Sequence, residues 1–239
     1  MAKQGKYAKY LILRRDPSLR PSLPQTRPFN SGSLSQMLGT YGSVIVKPTF
    51  GSRGVGVTKV SQLGGNKYLI HRGVKRVARY GKAGAYAYLK GKVGKKPYIV
   101  QRYVHLARVG NRPLDLRVMV QRKKGGPWKI TGKLAKVAGA NHIITNVHRS
   151  KGYALPAMTA LTKTFSRSAA SAILGRVNWV GLRAAKKMGP AYSLRKIGFD
   201  MAVDRNGKVW ILEGNSRPDL SLFLKLKDKS QYRTIKRYL

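Results

Sequence analysis

The chain has 239 residues, enough to bury a sizeable core in one domain or two small ones. It carries 49 Lys and Arg against 7 Asp and Glu, a formal net charge of +42, yet 42% of it is hydrophobic, which excludes a disordered basic tail. The absence of cysteine excludes disulfides, thiolate metal sites and a cysteine nucleophile, and no apolar run approaches the roughly 20 residues of a membrane span.

Residues 1–40 read as a short basic N-terminal segment punctuated by Pro17, Pro21, Pro24 and Pro28. Its apolar run is too short for a signal peptide, so the default expectation is a cytoplasmic protein. A short strand is predicted over Tyr10–Leu13, then irregular chain, then a helix around Leu34–Leu38 with Ser31 or Ser33 as its N-cap.

Residues 41–104 form a second region. Val44-Ile45-Val46 reads as a strand with Lys47 at its end, followed by the glycine-rich loop Phe50-Gly51-Ser52-Arg53-Gly54-Val55-Gly56 and an alternating strand to Val60. A Walker loop or a dinucleotide fingerprint runs strand–loop–helix, and neither GxxxxGK[ST] nor GxGxxG fits here. A glycine-rich loop between two strands can instead fold as a flap over phosphates, its bare amides donating hydrogen bonds and Lys47 supplying the cation. Many ordinary hairpins also carry glycines. Tyr68–His71 reads as a strand, Lys75–Tyr80 as strand or loop, Ala83–Leu89 as a short helix, and Tyr98–Val104 as a strand running into a connector.

Residues 105–239 form the third region. In Pro113–Arg122, Leu114, Leu116, Val118 and Val120 share one strand face, and Asp115 and Arg117 share the other, so the latter two can touch one ligand or form a surface ion pair. Trp128–Ala138 is a further strand, and Asn141–Arg149 follows as strand and loop, with Asn146, His148 and Arg149 projecting from the loop. Pro156–Met188 is the main helical region: Ile173, Val177, Val180, Ala184 and Met188 recur on one face, and Gly189-Pro190 stops it. Near the end, Asp219 can cap a closing helix over Leu220–Leu226, which leads into a basic tail.

Ile197–Asp219 reads as a β-hairpin, GFDMAVD and KVWILEG joined by Arg205-Asn206-Gly207, because Asn-Gly between apolar runs favours a tight turn. It brings Asp200 near Glu213 and Asn215, three oxygen donors of the kind that hold a hard cation such as Mg²⁺. Glu213 is the only glutamate in the chain and sits in an apolar strand. The other reading of Glu213 is a buried ion pair with an arginine. The net charge implies a polyanionic partner: an acidic peptide or polymer, or nucleic acid through non-specific electrostatics.

In order, the stretches LPQT, VIVKPTFGSRGVGV, YIVQRYVHL, DLRVMVQ, the Trp128 strand, TNVHRSKG and GFDMAVD…VWILEGNSRP resemble the ATP-grasp superfamily, and within it the YheC/YheD-like, endospore coat-associated proteins. The likeness covers roughly residues 23–226. It implies an α+β ATP-grasp fold, two subdomains gripping a nucleotide, with a reduced region before them. It implies that Lys47 contacts nucleotide phosphates under the flap Gly51, Ser52, Arg53, Gly54 and Gly56, and that Gln101, Arg102, Tyr103 and Val104 form the hinge receiving adenine, mostly through backbone groups. Arg117 would face the γ-phosphate or the reacting carboxylate, Asn146 and Arg149 would orient phosphate or substrate, and Asp200, Glu213 and Asn215 would hold Mg²⁺ on ATP. The activity implied is ligation of a carboxylate to an amine or similar nucleophile through an acyl-phosphate, with spore association. Lys136 departs from the pattern, standing where an arginine is expected. Two other readings stay open: a non-catalytic polyanion-binding or spore-layer protein on the same scaffold, and a kinase that stops at phosphoryl transfer.

Overall fold

The computed structural model describes residues 5–51, 54–140, 145 and 151–239, which divide into two compact units. One comprises residues 1–8, 24–104 and 141–144, the other residues 9–23, 105–140 and 145–239. The basic stretch 1–40 is therefore distributed over both. Ser52, Arg53, Asn146, His148 and Arg149 lie outside the described residues.

The first unit is an antiparallel sheet backed by two helices. Its strands are β1 (Thr26–Pro28), β2 (Ser43–Pro48), β3 (Thr58–Gln62), β4 (Lys67–Arg72), β5 (Lys75–Tyr80) and β6 (Tyr98–Arg102), in the spatial order β1-β6-β2-β3-β4-β5. Lys75–Tyr80, readable as strand or loop, is thus a strand, paired residue for residue with β4. Val55 lies in the turn before β3 and not in the strand. Helix α2 (Ser31–Tyr41) places Leu34, Met37 and Leu38 against Val44, Val46, Val60, Ile70 and Val100. Its N-cap is Asn30, whose side chain accepts from the Ser33 N–H at 2.8 Å, and not Ser31 or Ser33. Helix α3 (Gly81–Val93) adds Ala85 and Leu89 to the same core.

The second unit is built on β7 (Arg108–Val109), β8 (Arg112–Gln121), β9 (Lys129–Val137), β10 (Tyr153–Pro156), β11 (Lys196–Val203) and β12 (Val209–Asn215). The sheet order is β10-β9-β8-β11-β12, all antiparallel, with β7 paired to β8. One face carries Leu114, Leu116, Val118 and Val120 as expected, joined by Phe199 and Met201 and covered by the long helix α5 (Arg167–Ala191), which follows the short α4 (Ala157–Leu161). Ser166 caps α5 by accepting from the Ala169 N–H at 3.2 Å. Helix α5 continues through Gly189-Pro190 to Ala191. Gly189 does not stop it but admits Trp128, whose Cζ2 would lie 2.4 Å from an added Cβ.

Tyr10–Leu13 is not a strand. It belongs to α1 (Lys6–Arg14), where Lys9 and Leu13, one helical turn apart, are the buried pair. A four-residue apolar run carries too little periodicity to separate the two. The chain between is a 3-10 turn, Pro17–Ser22, opened by Asp16. The C-terminal stretch is also more ordered than a basic tail. α6 (Ser221–Leu224) follows Asp219, which accepts from the Ser221 N–H at 2.9 Å, and α7 (Ser230–Lys236) buries Ile235 completely. Phe223, Leu226 and Ile235 cover Met119 and Leu134 on the sheet face opposite α5. Fully burying each such side chain contributes about 1.5–3 kcal/mol.

Candidate functional site

In the first unit, Lys47 is the penultimate residue of β2 and is only 7% exposed. Its Nζ donates to Gln101 Oε1 at 2.8 Å, Gln101 Nε2 donates to Thr26 Oγ1 at 2.9 Å, and the Thr26 hydroxyl donates to the Pro24 carbonyl at 2.9 Å. This relay crosses β2, β6 and β1 and orients the Lys47 ammonium. In the loop beyond Lys47, Gly51, Gly54 and Gly56 have φ of 108°, 71° and 76°. Gly56 is doubly required, since a Cβ there would also meet the Tyr98 hydroxyl at 2.6 Å. The Lys6 ammonium donates to the Gly51 carbonyl at 2.7 Å. In the connector after β6, the Arg102 N–H donates to the Gln25 carbonyl at 2.8 Å and the Tyr103 N–H to the Ser43 carbonyl at 3.2 Å. Lys59 lies over the Tyr103 ring at 3.9 Å, and Val104 is buried.

In the second unit, the face opposite α5 gathers one polar set from four adjacent strands. Register dictates it: Arg117 on β8 lies opposite Asp200 on β11, Asp200 opposite Glu213 on β12, and Asp115 on β8 opposite Lys136 on β9. A β-bulge follows Asp200, so Leu212 has no partner in the register and Glu213 and Asn215 keep the same face as Asp200. Asp115 and Arg117 are therefore not a surface pair; they are 3% and 9% exposed. Arg117 grips Asp200 with both arms, Nε to Oδ1 at 3.0 Å and Nη2 to Oδ2 at 3.3 Å. Lys136 Nζ donates to Asp200 Oδ1 at 2.6 Å and lies 3.0 Å from Asp115 Oδ1, an ion-pair distance without hydrogen-bond alignment. The Thr145 hydroxyl donates to Asp115 Oδ2, and Asn215 Nδ2 donates to Asp200 Oδ2 at 3.2 Å.

The electrostatics follow from this packing. Burial opposes charge on Asp200, but Arg117 and Lys136 hold its carboxyl at about 2, so it is an anion at any ordinary pH. Burial pushes the Asp115 carboxyl above the usual carboxylate range despite Lys136. For Lys136, burial opposes the charge and is outweighed by Asp115 and Asp200, which raise its pKa. Glu213, half-buried and not fully buried as its apolar strand suggested, adds to the field that raises Arg117.

One residue of this cluster to which sequence reasoning assigned no contact is Lys136, noted only as standing where an arginine is expected; the available signal was a lysine on the face of β9 that otherwise carries buried Leu134. A second is Lys9, buried on α1, which donates to the Gly214 carbonyl between Glu213 and Asn215 at 2.8 Å. Nothing local to Lys9 in the sequence points to Gly214, more than two hundred positions away.

The sheet pair, the glycine loop after a strand lysine, and the Asp–Glu–Asn hairpin place the fold. A family model described as YheC/D like ATP-grasp matches residues 3–239. The chain belongs to the YheC/D-like ATP-grasp family. It is 27% identical over 227 residues to the endospore coat-associated protein YheD of Bacillus subtilis strain 168, covering 92% of this chain and 49% of YheD. It is 22% identical over 228 residues to YheC of the same organism, covering 92% of this chain and 61% of YheC. The chain thus spans about half to three-fifths of the curated relatives it matches. Among solved structures, it superposes on the C-terminal domain of Pby1 from K. lactis, an ATP-grasp enzyme, with TM-score 0.56, 14% identity, 98% of this chain and 68% of that one. The ATP-grasp ligase PsnB, solved with precursor peptide PsnA2 and AMPPNP, gives 0.53 at 15% identity, over 98% of this chain and 58% of PsnB. These likenesses establish the ATP-grasp fold.

Asp200, Glu213 and Asn215 are oxygen donors of the type a hard cation takes, and they share one sheet face. Both Asp200 oxygens already accept here, Oδ1 from Arg117 and Lys136 and Oδ2 from Arg117 and Asn215, so a cation bound there would displace some of these donors. Among the described residues no group of three or more His, Cys, Asp or Glu is placed to hold a metal ion by itself, so any such site is completed by the Asn215 amide and by a ligand's own oxygens. No helix among the described residues is long and apolar enough to cross a membrane.

Proposed function

We propose that the chain is an ATP- and Mg²⁺-dependent ligase that joins a carboxylate, by way of an acyl-phosphate, to an amine or similar nucleophile. The observation that carries this reading is the four-strand polar set of the second unit. A protein with 7 acidic residues places Asp115, Asp200 and Glu213 on one sheet face and brackets them with Arg117 and Lys136. Burying such a set costs several kcal/mol in desolvation, so it is poor scaffold and good machinery.

Each unit supplies its own contacts. In the first, Lys47 binds phosphate, the loop of Gly51, Ser52, Arg53, Gly54 and Gly56 covers it, and Gln101–Val104 receives adenine. The Arg102 and Tyr103 amides are committed to the Gln25 and Ser43 carbonyls, which fixes the course of the connector. In the second, Asp200, Glu213 and Asn215 hold Mg²⁺, which when bound supplies positive charge to the ATP phosphates. Arg117 neutralises the transferring phosphoryl group or the reacting carboxylate, and Asn146 and Arg149 orient the substrate. Phosphoryl transfer needs positioning and cations around developing charge and no protein nucleophile, which matches this set. The substrate carboxylate takes the γ-phosphoryl group as ADP leaves, and the amine then displaces phosphate from the acyl carbon. The basic surface favours an acidic peptide or polymer as that substrate, and the likeness to YheD and YheC favours a place in the spore coat.

ADP and phosphate released only in the presence of an acidic peptide acceptor, with loss of one water from the joined product by mass, is the expected result. A stable phosphorylated acceptor would instead make the protein a kinase, and tight Mg-ATP binding with no turnover over a broad acceptor panel would count against both.

A further inference from the structure

All the acidic residues of the chain fall within the second unit: Asp16, Asp115, Asp200, Asp204, Glu213, Asp219 and Asp228. The first unit has none, so no lysine or arginine within it is neutralised by a carboxylate of its own unit. Its cations concentrate in the run 67–96, which comprises the β4–β5 hairpin, α3 and the turn after it. Lys75, Arg76 and Lys82 are exposed there, and β5 is the edge strand, paired only to β4 among the described residues.

The ordering of these cations is unusual. Arg79 lies over the Tyr88 ring at 4.4 Å and Lys92 over the same ring at 5.7 Å, while Lys67 lies over Tyr80 at 5.8 Å. An ion pair orients a cation and cancels its charge; an aromatic face orients it and leaves the charge whole. At the margin of this field Tyr80 is 71% exposed, the most exposed aromatic side chain among the described residues. A lysine-rich edge strand can serve merely to prevent sheet-to-sheet aggregation, but that role requires no exposed aromatic.

We propose that the β5–α3 face of the first unit is a docking surface for single-stranded nucleic acid. The cations match a phosphate backbone, and Tyr80 matches a base face, which a single strand offers and a duplex or an acidic polypeptide does not. The activity is separate from ligation and uses none of the residues assigned to it.

The test is fluorescence anisotropy on the full chain with a labelled 20-nucleotide oligothymidylate, a 20-base-pair duplex and polyglutamate, each across a salt series. Two variants are compared with the parent: the triple change Lys75→Gln, Arg76→Gln, Lys82→Gln, and Tyr80→Ser. A control triple, Lys124→Gln, Lys129→Gln, Lys186→Gln, removes the same charge from exposed positions of the second unit. The first-unit triple lowers the slope of log affinity against log salt by about 2 for the oligothymidylate, three released counterions at about 0.7 each. Tyr80→Ser weakens oligothymidylate severalfold and leaves polyglutamate unchanged. Equal losses from the two triples would overturn the proposal by showing that the charge acts diffusely. So would a Tyr80→Ser protein that binds oligothymidylate like the parent, or duplex or polyglutamate bound as tightly as the single strand.

Discussion

Lys136 is shared between two carboxylates, 2.6 Å from Asp200 and 3.0 Å from Asp115, on a side chain 8% exposed. Removing it leaves both acids in a low-dielectric face with Arg117 as the remaining close cation. Breaking a buried pair from one side costs about 3–5 kcal/mol, and Lys136→Met is expected to lose that much in urea unfolding. Adding Asp115→Asn removes one of the stranded charges and should restore part of the loss, the signature of coupled sites. An additive double variant would mean that Lys136 contributes packing alone. Lys136 also shows why part of the site was hard to read. Its strand position was legible, but its value depends on which side chain lies across from it, and only register supplies that.

At the scale of elements, helix α5 approaches the sheet closely enough that Gly189 lies against Trp128. Alanine is the better helix former by about 1 kcal/mol, but a Cβ 2.4 Å from a rigid indole carbon forces a shift of helix or ring. Overpacking of this kind costs about 1–3 kcal/mol, so Gly189→Ala is expected to lower the melting temperature despite its propensity gain. A melting temperature raised by the change would show that α5 has room to relax. The same glycine marks the boundary of sequence reading: Gly-Pro is a sound stop signal, and here the pair sits in the last turn, with the Leu194 N–H donating to the Gly189 carbonyl beyond the helix end. The hairpin of β11 and β12 was legible, apart from the bulge after Asp200, because its information is local. Asn206-Gly207 makes the turn, Gly207 with φ 79°, and Asp204 accepts from the Asn206 and Lys208 amides at 3.0 Å and from the Trp210 indole at 2.9 Å. Helices α1 and α7 were not legible, because the short run Tyr10–Leu13 lacks a helical period and Ile235 is flanked by polar and basic residues, while the packing of Leu13 and Ile235 comes from a distant core.

For the whole molecule, the few acids are spent on structure and site, and acid should unfold it. The Arg183 guanidinium beside Asp16, 2.6 Å away, holds that carboxyl at about 2 against its own burial, and Asp200 is likewise held at about 2. Both native values lie below the unfolded value of 3.8, so the unfolded chain takes up protons first as pH falls. Their stabilisation is full above about pH 4 and is lost progressively towards pH 2. Circular dichroism on acidification should show unfolding in that window, and Asp16→Asn, less stable at neutral pH, should show a shallower dependence. Unchanged stability from pH 4 to 2 would contradict the assignment.

The central claim is that the hairpin carboxylates make a metal-dependent nucleotide site, and calorimetric titration of ATP with and without Mg²⁺ tests it most directly. The parent protein should bind ATP saturably and more tightly with Mg²⁺, and Glu213→Gln, which keeps the shape and removes the charge, should weaken the Mg²⁺-dependent binding about tenfold or more, equivalent to about 1.4 kcal/mol. Binding that ignores Mg²⁺, collapses with salt and is the same in Glu213→Gln would mean that ATP is one more polyanion on a basic surface, and the ligase reading would fall.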